Sequence, residues 1–125
     1  MSNSSLKKTL VVGASEKPDR YANIAVKRLV ESGHPVLAHG YRKGKIGEVS
    51  IETEFPKHED DIHTVTLYLS AKNQTDFYDK IIELNPKRVI FNPGTYNKEF
   101  EEKLKQANID FEHACTLVML SANTY

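Results

Sequence analysis

Apolar residues along this chain fall into two kinds of run that alternate, and the alternation predicts the fold. Thr9-Leu10-Val11-Val12 is short and β-rich, carries no charged residue, and stops at Gly13. A run of that kind suits a strand covered on both faces. From Tyr21 to Ser32 the spacing changes: Ala22, Ala25, Val26, Leu29 and Val30 recur at helical intervals, and Ser32-Gly33 supplies the stop. Pro35-Val36-Leu37-Ala38 then predicts a second strand. Residues 9–38 are therefore a β-α-β unit whose two strands run parallel. The unit repeats with variation. Residues 64–69 predict a third strand, and Phe77, Tyr78, Ile81 and Ile82 mark the apolar face of a helix over 73–84. Residues 88–91 predict a fourth strand halted by Asn92-Pro93-Gly94. Phe100, Leu104 and Ala107 mark the next helix, and Ile109-Asp110-Phe111 opens a fifth strand. Residues 40–61 show no helical face and are expected to form a loop with a short turn.

Strands alternating with helices indicate an α/β fold, and right-handed crossovers leave few topologies. The expectation is a single Rossmann-like three-layer domain spanning 1–125, with its core over about 8–120. Its five-stranded parallel sheet is expected in the order 3-2-1-4-5. Open sheets of this kind bind ligands beyond the carboxyl ends of their strands, where the strand order reverses. With that order the reversal lies between strands one and four, so Gly13-Ala14-Ser15 and Asn92-Pro93-Gly94 both face the crevice.

Gly13-Ala14-Ser15 has the properties of a phosphate cradle. Glycine permits a tight turn, two small residues let backbone N–H groups come close to an anion, and the following helix start adds partial positive charge. Ser15 offers a hydroxyl and Lys17 and Arg20 full charges, whereas Glu16 and Asp19 oppose an anion unless they turn away. The plainer alternative is an ordinary strand-to-helix turn, with Ser15 or Asp19 as N-cap and Pro18 in the first turn. The second strand ends in His39-Gly40-Tyr41-Arg42-Lys43-Gly44-Lys45. An NAD site places an acidic residue about twenty residues beyond the glycine loop to hold the ribose hydroxyls. None occurs between Ser32 and Gly47; Arg42, Lys43 and Lys45 stand there instead. That suits a ligand with a phosphate on its ribose, such as coenzyme A or NADP. The alternative is a solvated basic loop balanced by Glu48, Glu52 and Glu54.

Composition narrows the partners. The chain has 17 basic and 17 acidic residues and a formal net charge of zero, which argues against nucleic acid as the main partner. No apolar run approaches the length of a membrane span, and the first residues lack the apolar stretch of a secretory signal. Cys115 is the only cysteine, so a reducing, cytoplasmic setting is expected. A buried, inert Cys115 is the ordinary expectation and a reactive thiol the sharper one. The five histidines show no paired metal-ligand spacing. Nothing resembles a nucleophile–base–acid arrangement, so no activity of its own is expected.

With these residues in view, the chain resembles the small stand-alone CoA-binding domain family, itself similar to the CoA-binding domain of the succinyl-CoA synthetase α subunit. Residues 11–20, Val-Val-Gly-Ala-Ser-Glu-Lys-Pro-Asp-Arg, match the family's opening. Ile46-Gly47-Glu48 matches its Gly-Glu after the second-strand loop, Asn92-Pro93-Gly94 corresponds to a Gln-x-Gly after strand four, and Cys115 falls on the cysteine after strand five. The resemblance implies that Gly13, Ala14, Ser15, Pro18 and Arg20 line a diphosphate site. It also implies that the loop from Gly40 to Lys45 meets the adenosine phosphate, and that Asn92, Pro93 and Gly94 border the pantetheine. The family commonly has Asn-Pro where this chain has His39-Gly40. The leading expectation is a CoA-binding module acting as a carrier, a sensor or a partner to an enzyme. An NADP-binding oxidoreductase or redox sensor and a ligand-free interaction domain stay open, as do a protein partner and a homo-oligomer.

Overall fold

The computed structural model describes residues 6–125. In chain order its elements are β1 (Thr9–Val12), α1 (Tyr21–Glu31), β2 (Val36–His39), β3 (Gly44–Ile46), β4 (Val49–Glu52), β5 (Thr64–Leu67), α2 (Tyr78–Leu84), β6 (Arg88–Phe91), α3 (Lys98–Gln106), β7 (Asp110–His113) and α4 (Thr116–Ser121). They build one sheet in the order β3-β4-β2-β1-β5-β6-β7, parallel throughout except where β3 lies antiparallel to β4.

Alternation along the strands sorts side chains into two cores. Leu10, Val12, Val65, Leu67, Val89 and Phe91 face the layer of α2 and α3, where Ile81, Leu84, Phe100 and Leu104 are buried with them. Val11, Ala38 and Ile51 face α1, whose Ala22, Val26 and Leu29 close over them. Each fully buried Leu or Phe of this kind is worth roughly 1.5–3 kcal/mol of transfer free energy. Most apolar positions read as helix faces therefore do face the sheet; Val30, read as part of the α1 face, is instead 48% exposed.

Two parts of the expected topology are corrected. The sheet has seven strands, not five, because residues 40–61 contain a β-hairpin: β3 and β4 are joined through Gly47 and Glu48, with Gly47 at φ +59°. Glycine at the first position of a two-residue loop, at positive φ, is what such hairpins select. The expected order 3-2-1-4-5 also fails. The strand read as third is β5, and it pairs with β1, not with β2. The physical reason is that β4 already occupies the outer edge of β2 through a parallel pairing, so the next strand has only the free side of β1 to join.

Smaller differences have local causes. The helix expected over 73–84 begins as two 3-10 turns, Ala71–Asn73 and Thr75–Phe77, and becomes α-helical only at Tyr78. Gln74 is fully buried between them and donates its amide to the carbonyls of Leu69 and Thr95, which holds the tighter turns in place. α4 carries no charged residue and went unforeseen; its start is fixed by Asn92, whose Oδ1 accepts from the Thr116 amide at 2.8 Å.

Asn92 is 2 % exposed and acts as a clamp. Its Nδ2 donates to Thr66 Oγ1 at 2.7 Å and to the Leu67 carbonyl at 2.9 Å, tying β5, β6 and α4 together. Removing the amide leaves buried donors and acceptors unsatisfied. Asn92→Ala is expected to lose about 2–4 kcal/mol of stability in urea denaturation, with the m-value unchanged.

Candidate functional site

The reversal of strand order lies between β1 and β5, so the loops that follow these two strands, 13–15 and 68–69, face one crevice. The loop after β2 forms its third wall. A cleft of about 410 Å³ opens there, lined by Gly13, Ala14, Ser15, Glu16, Lys17, Arg20, Tyr41, Arg42, Lys43 and Leu69. Most of the residues singled out from the sequence are thus brought together. Pro18 and Lys45 are exposed outside the lining, and Gly40 is buried beneath it. The Asn92-Pro93-Gly94 loop is not part of the cleft. The expectation that it would neighbour the Gly13 loop at the reversal of strand order is corrected, because β5 stands between β1 and β6; the Asn92 side chain points inward as the clamp.

The glycine loop is built by steric demand. Gly13 sits at φ +98°, and a Cβ there would stand 3.1 Å from Leu69 Cδ2 and 3.2 Å from the Tyr68 carbonyl. Its amide and that of Ala14 both donate to the His39 carbonyl, at 3.0 and 2.9 Å. Those two N–H groups, expected to meet an anion, are therefore spent on β2. Gly40 completes the lock, since a Cβ there would lie 2.6 Å from the Ala14 carbonyl oxygen and 2.9 Å from Ile51.

Donors remain one step further along. Among the described residues the amides of Ser15 and Glu16 donate to no protein acceptor. Ser15 Oγ accepts from the Lys17 amide at 3.1 Å, which leaves its own proton to donate. Asn23 of α1 donates to the Ser15 carbonyl at 2.8 Å and fixes the loop on the helix. The start of α1 is open as well: its N-cap is Arg20, not Ser15 or Asp19, no side chain caps it, and its first turn holds no acid. That leaves first-turn N–H groups and the positive end of the helix next to Arg20, which lines the cleft.

Charge follows the same direction. Glu16 turns its carboxylate onto the Lys45 amide at 2.8 Å and packs against Gly44, where a side chain would have to displace it. Lys17, Arg20, Arg42 and Lys43 have no ion-pair partner among the described residues. The cleft therefore offers amide donors and unpaired cations, which is chemistry for a polyanion. Among the described residues no group of three His, Cys, Asp or Glu could hold a metal ion. Cys115 is half-buried at the N-cap of α4, outside the lining.

Sequence reasoning missed three contributors. Leu69 becomes visible only once β5 is known to neighbour β1. Asn23 reads as one more polar residue of a helix. His39 works through its carbonyl, which carries no side-chain signature. Its ring is buried and meets Phe55 and Phe77 edge-on at 5.1 and 5.2 Å. Nε2 lies 3.1 Å from the Thr53 carbonyl, which can only accept, so this nitrogen carries the proton. Tyr41, 67 % exposed, extends the aromatic row to the rim, its ring 6.4 Å from that of Phe77.

A family model described as a CoA binding domain matches residues 7–121. Among solved structures, one described as an uncharacterized protein is 44% identical, with a TM-score of 0.90 over 97% of this chain and 99% of its own. A hypothetical protein from Pyrococcus horikoshii OT3 is 28% identical, with a TM-score of 0.86 over 95% of this chain and 84% of its own. A protein from Thermus thermophilus shares the fold at 22% identity, with a TM-score of 0.80 over 98% of this chain and 92% of its own. No curated protein matches the chain.

Burial holds His39 below its ordinary value of 6.5, with Lys80 adding to the effect and the Thr53 hydrogen bond opposing it. Burial lowers His34 and His63 in the same direction. The folded state keeps these rings neutral, so the unfolded chain takes up protons first as pH falls below about 6.5. Stability is full above that value and is lost as pH drops through it. The melting temperature is expected to fall between about pH 7 and 5.5, less steeply in His39→Gln, which keeps a neutral donor for Thr53.

Proposed function

The chain belongs to the CoA binding domain family, and we propose that it binds coenzyme A in the cleft between the β1, β2 and β5 loops. The diphosphate lies against the amides of Ser15 and Glu16 and the open start of α1, with Arg20 and Lys17 supplying charge. The phosphate on the ribose is met by Arg42 and Lys43, and the adenine lies along the exposed ring of Tyr41. The observation that carries this reading is the pairing of an uncapped helix start with four cations that have no acidic partner, in one cleft at the reversal of strand order.

The His39-Gly40 pair supports the reading. Gly40 is packed under the Ala14 carbonyl, so the loop after β2 folds alongside the cleft and leaves it open. The cleft suits the nucleotide half of the ligand, and its walls bring no nucleophile and base together. In this reading the protein is a binding module without a reaction of its own, and its role is to carry, sense or present the bound nucleotide to an enzyme.

Ligand selectivity tests the proposal. A ligand that binds only the folded state stabilises it by RT ln(1 + [L]/Kd), about 2.7 kcal/mol at a hundredfold excess. CoA is expected to raise the melting temperature more than dephospho-CoA or NAD does. Equal shifts for CoA and dephospho-CoA would remove the role given to Arg42 and Lys43, and a larger shift with NADP would favour an oxidoreductase reading. A second test addresses the diphosphate. Arg20 is exposed, so Arg20→Ala should leave the fold intact, and loss of a charge-assisted hydrogen bond should lower CoA affinity by roughly ten- to a hundredfold. Unchanged affinity in calorimetric titration would mean that Arg20 points to solvent.

A further inference from the structure

Because a hairpin strand, not a crossover helix, leads from β2 to β4, one face of these two strands has no α-helix laid over it among the described residues. α1 covers their other face. On the open face runs a groove of about 510 Å³. Half-buried Leu37, Phe55 and Pro56 are among its lining, with Leu37 and Phe55 packed against the core beneath. Exposed Glu48, Glu52 and Glu54 stand along it. The sequence allows these carboxylates to be read as counterions of Arg42, Lys43 and Lys45. The structure separates the two groups: none of the three glutamates is in an ion pair among the described residues. Asp60 also lines the groove, but its carboxylate already accepts from the Lys57 amide at 2.7 Å, and Lys57 is the one cation in the lining. A chain of zero net charge thus carries a cationic cleft on one side of the β3–β4 hairpin and an acidic, partly apolar groove on the other.

We propose that this groove docks a short cationic, amphipathic segment of a partner protein. An apolar side chain of the segment enters between Leu37 and Phe55, and flanking Lys or Arg residues meet Glu48, Glu52 and Glu54. Charge complementarity selects the occupant: an acidic or neutral segment would leave three carboxylates unpaired at the edge of a partly dried groove, while a cationic one neutralises them. An apolar anchor held in a pocket with charges at the rim is also the division of labour found in interfaces, where the rim sets encounter rate and specificity. The proposal is independent of the nucleotide reading, since the two sites share no lining residue.

The test uses the full chain and a labelled peptide of alternating Leu and Lys, followed by fluorescence anisotropy. A Ser–Lys peptide and a Leu–Glu peptide serve as controls. The Leu–Lys peptide is expected to bind saturably, to protect amides of residues 48–56 from hydrogen exchange, and to weaken in about 0.5 M salt. Both control peptides should bind about tenfold more weakly or worse, and Glu52→Lys with Glu54→Lys should cost at least about tenfold. CoA binding by that variant should be unchanged, which separates a failure here from a failure of the nucleotide site. Equal binding by the charge-reversed variant, or protection mapped away from 48–56, would overturn the proposal. So would a dimer of this chain that the same substitutions dissociate, because a second copy would then fill the groove. If the variant does not fold, the exchange map of the unaltered protein decides the matter.

Discussion

One carbonyl, that of His39, accepts the amides of both Gly13 and Ala14. Neighbouring features depend on that pair of hydrogen bonds. It ends the β1–β2 pairing, turns the chain at Gly13 into the left-handed region, and spends the two N–H groups nearest the sheet. The uncommitted donors nearest the cleft are consequently those of Ser15 and Glu16, followed by the uncapped start of α1. At position 13 the left-handed backbone and the close approach of Tyr68 and Leu69 disfavour a Cβ, and at position 40 the Ala14 carbonyl oxygen leaves no room for one. The cleft is therefore shaped by backbone contacts among β1, β2 and β5, and its side chains need supply only charge.

The same end of β2 sets the electrostatics. The Glu16 carboxyl packs over Gly44, where a side chain would have to displace it, and it accepts from the Lys45 amide. Beyond this point the chain makes a hairpin, and its charges divide by side: Arg42 and Lys43 toward the cleft, Glu48, Glu52 and Glu54 toward the groove. A net charge of zero thus conceals two surfaces of opposite sign. Net charge bears on bulk association, while binding at a cleft follows the local arrangement.

Much of this was legible in the sequence, and what was not has physical causes. β1, α1, β6 and the cores of α2 and α3 follow from local patterns, because an uninterrupted apolar run or a helical stripe reports its own burial. The glycine loop was legible as a turn; that its first two amides serve β2 was not, since a backbone carbonyl leaves no mark in the sequence. The β3–β4 hairpin was missed although Ile46-Gly47-Glu48-Val49 carries its signal, a glycine in a two-residue loop between short apolar positions. Strand order is a long-range property. It turned on β4 taking the edge of β2, and with it went the placing of the Asn92-Pro93-Gly94 loop beside the Gly13 loop. Asn92 reads as a polar residue in a turn, yet it is a buried clamp.

In the proposed complex an anion is held by the amides of Ser15, Glu16 and the first turn of α1. Titration of the nitrogen-15-labelled protein with CoA, followed amide by amide, tests it most directly. Saturable shifts are expected to be largest at Ser15, Glu16 and residues 21–23, with smaller ones at Tyr41 to Lys43 and little change at Asn92 to Gly94. Saturable shifts centred on residues 92–96, or no saturable shift at the 15–23 segment, would contradict it.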